Sequence, residues 1–395
     1  MPNSLAENVA QAISDFDSIK QAVEAKGVAV GNTPTSGYAT LIESISRPGI
    51  HPIYGVKGLY RSSPALDRTD DAVGKSFTIN NSTGAVSSDF DALFPWSEAE
   101  IINDTAGKML KLPDMYFRIG TDQNMRLTDV AVSKAPSGYG KWYKVDSFAV
   151  GCYKGFVENN RLTSQSGKTL STGTLSQFRT WARANGNGYF DYDLYHRTAL
   201  IFLWWIEFAT KKSDDIMRGV ISGSGTMGGN TLKQTGGTNS LATPSGFELT
   251  RKQMRWHYIE DFIGNTYDLV DGVYFNRDGY PCYVTADPSQ FSDSLNETGT
   301  ALPYSTPASG WIKAIGWDES NPFLCMPIET SSEASGTTYF CDNASTGSAA
   351  ARVMMSGEMY KAASSSYGRG LTSYSQCSAG SSDDDRGSRL LKTFS

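Results

Sequence analysis

Two apolar clusters, Val353-Met354-Met355 and Leu390-Leu391, bracket a window whose composition fits neither a core nor a tail. Ser364 to Arg386 spans 23 residues, eight of them Ser, with two Tyr, three Gly and three consecutive Asp. A disordered tail would not close on the apolar, basic, strand-like run Ser388-Arg389-Leu390-Leu391-Lys392. The pattern predicts a surface pinned at both ends and filled with the Tyr, Ser, Gly and Asp that paratopes use for adaptable contacts. A Ser/Gly loop without function shares that composition.

The rest of the chain is consistent with a large body carrying such a surface. At 395 residues it has room for more than one domain, and 12% aromatic residues with 39 Gly suggest short strands and irregular loops. A net charge of −6 argues against nucleic acid or anionic membrane as partner, since a phosphate-binding face needs clustered Lys and Arg. Cys152, Cys282, Cys325, Cys341 and Cys377 are odd in number and never spaced C-x-x-C, so neither a disulfide framework nor a zinc site follows. The N-terminus lacks the basic and apolar regions of a secretory signal, and the longest apolar run, Ala199 to Ile206, is too short to span a bilayer. No membrane insertion is expected.

Along the chain, Leu5, Val9, Ile13, Phe16, Ile19 and Val23 form one helical stripe, and Tyr38 to Ile45 predicts a second short helix. A two-helix unit of this size buries little alone, so residues 1–48 read as an attachment or oligomerisation segment, which favours a homotrimer or attachment to a particle without fixing the number of copies. Residues 49–104 predict a strand-rich intermediate segment, with strands at Val56–Tyr60, Ser76–Ile79 and Ala99–Ile102 and a turn at Asn80–Gly84. Met109 to Ile119 predicts one strand, with Pro113 at an edge or bulge. Thr174 to Ala184 is helical by its spacing of Leu175, Phe178, Trp181 and Ala182, and Tyr192 to Thr210 is a helix apolar nearly all round. In the run Gly264-Asn265-Thr266-Tyr267-Asp268-Leu269-Val270-Asp271-Gly272, a turn precedes a strand with Tyr267 and Leu269 inward and Asp268 outward, and Asp271-Gly272 ends it.

Trp256 to Val273 resembles the central signature of the formylglycine-generating-enzyme type of C-type lectin fold. Leu203-Trp204-Trp205-Ile206-Glu207-Phe208-Ala209 resembles that fold's second helix, and Gly387-Ser388-Arg389-Leu390 its closing strand. Within the fold, the chain is most similar to variable proteins of diversity-generating retroelements, including phage tropism determinants. Arg68 to Ala72 through Phe94-Pro95-Trp96-Ser97 is similar to a region preceding the lectin fold in phage-encoded relatives, and Ile19–Gly27 with Tyr38–Ile45 to an attachment segment of phage tail proteins. The fold implied is α+β: a C-type-lectin-like domain over 105–395, preceded by the strand-rich segment and the N-terminal helical segment.

The same resemblance implies a mechanism for the terminal window. An error-prone reverse transcriptase would replace adenines in the codons of a variable region over about 344–395, which cannot yield Lys, Glu, Gln, Met or Trp. Within Ser364 to Arg386 only Gln376 lies outside the reachable set, whereas Glu358, Met359 and Lys361 cluster just before it. No Asn follows Asn343, although relatives often retain several. The expected contact residues are Tyr360, Ser364, Ser365, Ser366, Tyr367, Arg369, Thr372, Ser373, Tyr374, Ser378, Ser381, Ser382, Asp383, Asp384, Asp385 and Arg386. The partners implied are a host cell-surface protein or glycan and other phage tail proteins, and the location implied is the virion, without a signal peptide.

Enzymatic readings find little purchase. The oxidase branch of the fold needs a close C-terminal cysteine pair, but only Cys377 lies in that segment. The three histidines, His51, His196 and His257, read as structural, and no Gly-x-Ser-x-Gly elbow surrounds a serine. Asp383-Asp384-Asp385 reads as a solvated acidic loop rather than a calcium site, because adjacent carboxylates rarely converge on one ion. No cofactor or metal is expected, and the chain reads as a binder. An invariant tail or baseplate component is the alternative.

Overall fold

The structure is a computed structural model that describes residues 20–21, 51–136, 140–217, 219, 234–249, 253–275, 282–293, 299–345, 352–357, 370–372 and 374–394. The chain divides into two units, Met1–His51 and Pro52–Ser395. The helices expected over 1–48 lie outside the described residues, apart from Lys20 and Gln21, which are helical.

Within Pro52–Ser395 the architecture is predominantly β, and this corrects the expected α+β fold. Two α-helices, α1 (Leu175–Arg183) and α2 (Leu194–Phe208), stand among three five-stranded sheets, a two-stranded ribbon and a nine-stranded sheet. The helices carry the strong sequence periodicity, yet short strands dominate the described chain. Segment 49–104 is woven into sheets shared with later residues. Ile53–Lys57 pairs with Leu127–Ser133, Glu100–Asp104 with Gly107–Leu112, and Ala85–Ser88 with Ser245–Phe247.

The single strand expected over Met109 to Ile119 is two strands, Gly107–Leu112 and Met115–Thr121, in different sheets. Pro113 has no N–H to give a ladder, so the chain leaves one sheet there and enters the next.

α1 starts on a capping box. The Gln177 N–H donates to Thr174 Oγ1 at 3.2 Å, and the Thr174 N–H donates to Gln177 Oε1 at 2.9 Å. α2 is buried along almost its whole length and forms the axis of the main core, with Trp204 and Trp205 0% and 1% exposed. Phe202 packs against Phe117 and Phe323, while Trp204 packs edge-on against Trp256 at 5.1 Å. No described helix is long and apolar enough to cross a membrane.

The strand after Gly264-Asn265 runs from Tyr267 to Phe275 and is buried nearly throughout, so Asp268 is not outward and Asp271-Gly272 does not end it. It lies between Cys282–Val284 and Arg352–Ser356 with both faces covered. Its acids are balanced by buried cations: Lys154 Nζ donates to Asp268 at 2.7 Å, and Arg179 grips Asp271 with two bonds at 2.8 and 3.0 Å.

Candidate functional site

Strands Arg352–Ser356 and Tyr374–Ser378 build the platform for the C-terminal window. They pair antiparallel over their full length, from Arg352 opposite Ser378 to Ser356 opposite Tyr374. Tyr267–Phe275 flanks them on one side, and Asn343–Ser345 on the other. Both expected anchors are buried: Val353, Met354 and Met355 in the platform, Leu390 and Leu391 in a strand between Phe148–Gly151 and Tyr189–Asp191. Residues 357–373 therefore connect two positions that face each other on one rung.

The return into the platform is fastened by residues far away in sequence. The Leu371 carbonyl accepts from Arg197 Nη2 of α2 at 2.7 Å, and its N–H donates to Ser213 Oγ at 3.1 Å. The Asp342 carboxylate accepts from the Thr372 N–H at 2.7 Å and from its hydroxyl at 2.5 Å. Burial pushes the Asp342 carboxyl up to about 7. A Cβ on Gly370 would sit 2.4 Å from Ser213 Oγ and 2.6 Å from Asp342 Oδ1, so only glycine fits without displacement. The sequence carries no local sign of these partners beyond the apolar Leu371 in a polar run.

Gln376, the window's one residue outside the adenine-reachable set, faces inward. Its Oε1 accepts from Arg352 Nη1 at 2.5 Å and its amide donates to the Tyr374 hydroxyl, all three residues being buried.

The expected contact residues divide into three groups. Tyr360, Ser364, Ser365, Ser366, Tyr367, Arg369 and Ser373 lie outside the described residues. Thr372 and Tyr374 are 6% and 1% exposed, which removes them from the contact surface: Thr372 is spent on Asp342, and Tyr374 packs edge-on against Phe275 at 5.4 Å. The remainder share one surface turn. Ser378, Ser382, Asp383 and Asp384 are exposed, while Ser381, Asp385 and Arg386 are half-buried. Arg386 organises the turn from within, pairing with Asp383 at 2.8 Å and Asp385 at 3.7 Å and donating to Ser381 Oγ. The aspartates thus face a guanidinium, which competes with any cation for their oxygens.

Two chemistries outside the window can be judged. Cys152, Cys325, Cys341 and Cys377 are free thiols, and burial pushes Cys152 and Cys341 up to about 12 and Cys377 up to about 11. Such thiols carry little thiolate at neutral pH. Among the described residues one group, Asp91, Glu207 and His257, gathers metal-ligating atoms. His257 Nε2 lies 2.9 Å from Glu207 Oε2, while its Nδ1 lies 3.6 Å from Asp91 Oδ1, and Trp96 stacks on the ring at 3.7 Å. Glu207 Oε2 also accepts from Trp256 Nε1 at 2.8 Å, so these contacts tie α2 to Trp256 and His257.

No family model matches the chain, and no curated protein matches it. Among solved structures, the chain is similar to PvdO from Pseudomonas aeruginosa at 11% identity, over 75% of this chain and 98% of that one, with a TM-score of 0.33. That likeness is too distant to transfer either fold or activity.

Proposed function

We propose that this chain is a ligand-binding protein of phage-tail type whose C-terminal segment presents an exchangeable contact surface diversified by a retroelement. The observation that carries the reading is the rung on which Ser356 faces Tyr374: the intervening residues leave and rejoin the sheet at one place. Their side chains can change without shifting strand register. Gln376 supports the same reading, since the one unreachable residue of the window belongs to the buried platform. Tyr367 and Arg369 would be anchors of large contact area, with Ser and Gly neighbours tolerating change. The partner is a host cell-surface protein or glycan, and several copies on one particle would multiply a weak single-site affinity. Residues 1–48 would attach the chain to other tail proteins.

The test is to sequence the DNA downstream of the gene in several isolates. A near-copy of the terminal repeat that differs mainly at adenines, beside a reverse-transcriptase gene, is the expected result. An invariant 3′ end with no repeat would instead favour a fixed tail or baseplate component.

A further inference from the structure

A second site lies at the N-terminus of α2, away from the terminal window. A cavity of about 740 Å³ opens there, within the range of small-ligand sites, and His196 forms part of its wall. His196 is 93% buried by its 7% exposure, and its plane is set by Phe148 at 4.5 Å and Tyr195 at 5.1 Å. Asp193, the N-cap of α2, receives the imidazole Nδ1–H at 2.8 Å and the His196 backbone N–H at 2.8 Å. In the neutral imidazole that bond places the proton on Nδ1 and leaves Nε2 as a hydrogen-bond acceptor. Among the described residues, the side-chain hydrogen bonds of His196 go to Asp193 through Nδ1, and none involves Nε2.

The remaining polar lining comprises the hydroxyls of Ser147, Tyr195, Ser289 and Thr393 and a set of charged groups. Asp114, Asp146 and Asp287 contribute carboxylates, and Lys144 is the one cationic group among them. Lys144 is already occupied, with Asp114 at 2.7 Å and Asp146 at 2.6 Å. The charged lining is therefore net negative, and Phe190 supplies aromatic surface, whereas the Phe394 ring already faces Lys111 and Lys392 at 5.2 and 5.6 Å. An anion is repelled by this lining. A cationic nitrogen with several N–H groups on an apolar stem matches the negative charge, the carboxylate and imidazole acceptors and the Phe190 surface.

We propose that this cavity binds an alkylammonium or guanidinium group, with His196 Nε2 accepting from it and Asp146 supplying charge at the mouth. The chemistry fits a free diamine or a basic side chain of a polypeptide. The cavity's lining residues lie outside Ser364–Arg386, although Thr393 and Phe394 fall within the variable region of about 344–395, and His196 and Asp146 carry the proposal without them.

Calorimetric titration of the full chain with putrescine and with Nα-acetyl-lysine-N-methylamide tests this, with sodium butyrate as the anionic control. At least one cation should bind with a Kd of about 1 mM or tighter, and butyrate should not bind. Tighter binding of putrescine assigns a free amine, and tighter binding of the lysine derivative assigns a peptide side chain. His196→Ala should weaken binding about tenfold, by loss of one buried acceptor. Asp146→Asn, at a side chain 85% exposed and so without consequence for folding, should weaken it about fivefold. If His196→Ala does not fold, Asp146→Asn decides. The proposal fails if neither cation saturates by about 20 mM, if butyrate binds equally well, or if Asp146→Asn binds like the native chain.

Discussion

The carboxylate of Asp342 accepts both the backbone N–H and the hydroxyl of Thr372, 30 positions further along the chain. This pair of hydrogen bonds to one residue fixes where the C-terminal window re-enters the sheet, and it does so with a carboxyl that burial pushes up to about 7.

A pH dependence follows, and its sign is fixed by the direction of the shift. Asp342 titrates at about 7 in the fold against about 4 in an unfolded chain, so the folded state binds the extra proton between those values. Stability should therefore fall as pH rises from about 4 to about 7 and level off above that, by at most about 1.4 kcal/mol per pH unit for this group. Asp261, raised by burial and by the neighbouring Glu260, acts in the same direction. Thermal unfolding from pH 5 to pH 8 should show a declining Tm, and Asp342→Asn should flatten the slope. An unchanged slope in the variant would remove Asp342 from this role.

The Arg179–Asp271 pair should be costly to break. Both side chains are buried, at 8% and 3% exposure, and two of the three guanidinium bonds go to Asp271. Arg179→Ala strands a carboxylate inside the nine-stranded sheet and is expected to cost about 3–5 kcal/mol, read from the urea midpoint. A loss below about 1 kcal/mol would mean that water reaches Asp271.

Tyr374 and the exposed turn should respond in opposite ways, although both fall within the window. Tyr374→Ala opens a cavity beside Phe275 and removes the hydroxyl that Gln376 donates to, for an expected loss of about 3–5 kcal/mol. Ser382→Ala and Asp384→Ala should each stay within about 0.5 kcal/mol. Equal losses at both places would show that the exposed turn is part of the fold's support.

Replacing Ser364, Tyr367 and Arg369 together is expected to alter ligand binding while leaving Tm within about 2 °C of the native chain. Differential scanning fluorimetry beside adsorption to host cells would separate the two effects. A collapse of Tm would count against the proposed function.

The sequence made the anchors legible, because Val353-Met354-Met355 and Leu390-Leu391 are apolar clusters in a polar context, and both are buried. The two helices were also legible from periodicity, and α1 carries its capping box in plain view at Thr174 and Gln177. The weight given to helix was excessive because strands of three to five residues leave almost no periodic trace. Asp268 and Asp271 were misread for a physical reason. Alternation describes a strand with one wet face, whereas Tyr267–Phe275 has none, and the cations that explain its acids lie 114 and 92 positions away. Arg197 and Asp342 were invisible as fasteners of the window for the same reason, since each acts on a residue remote in sequence.

The position of Arg389 bears on how the protein is made. Its guanidinium donates to the carbonyls of Gly151, Glu260 and Asp261 from a fully buried site, and the adjoining strand Leu390–Thr393 is internal to its sheet. The domain thus closes only once Arg389 is in place, because this side chain joins segments that all precede it in the chain. A premature stop or frameshift anywhere upstream of Arg389 would leave those carbonyls unmet and the sheet open. The fold is therefore complete only when the reading frame holds through the C-terminal window to Arg389.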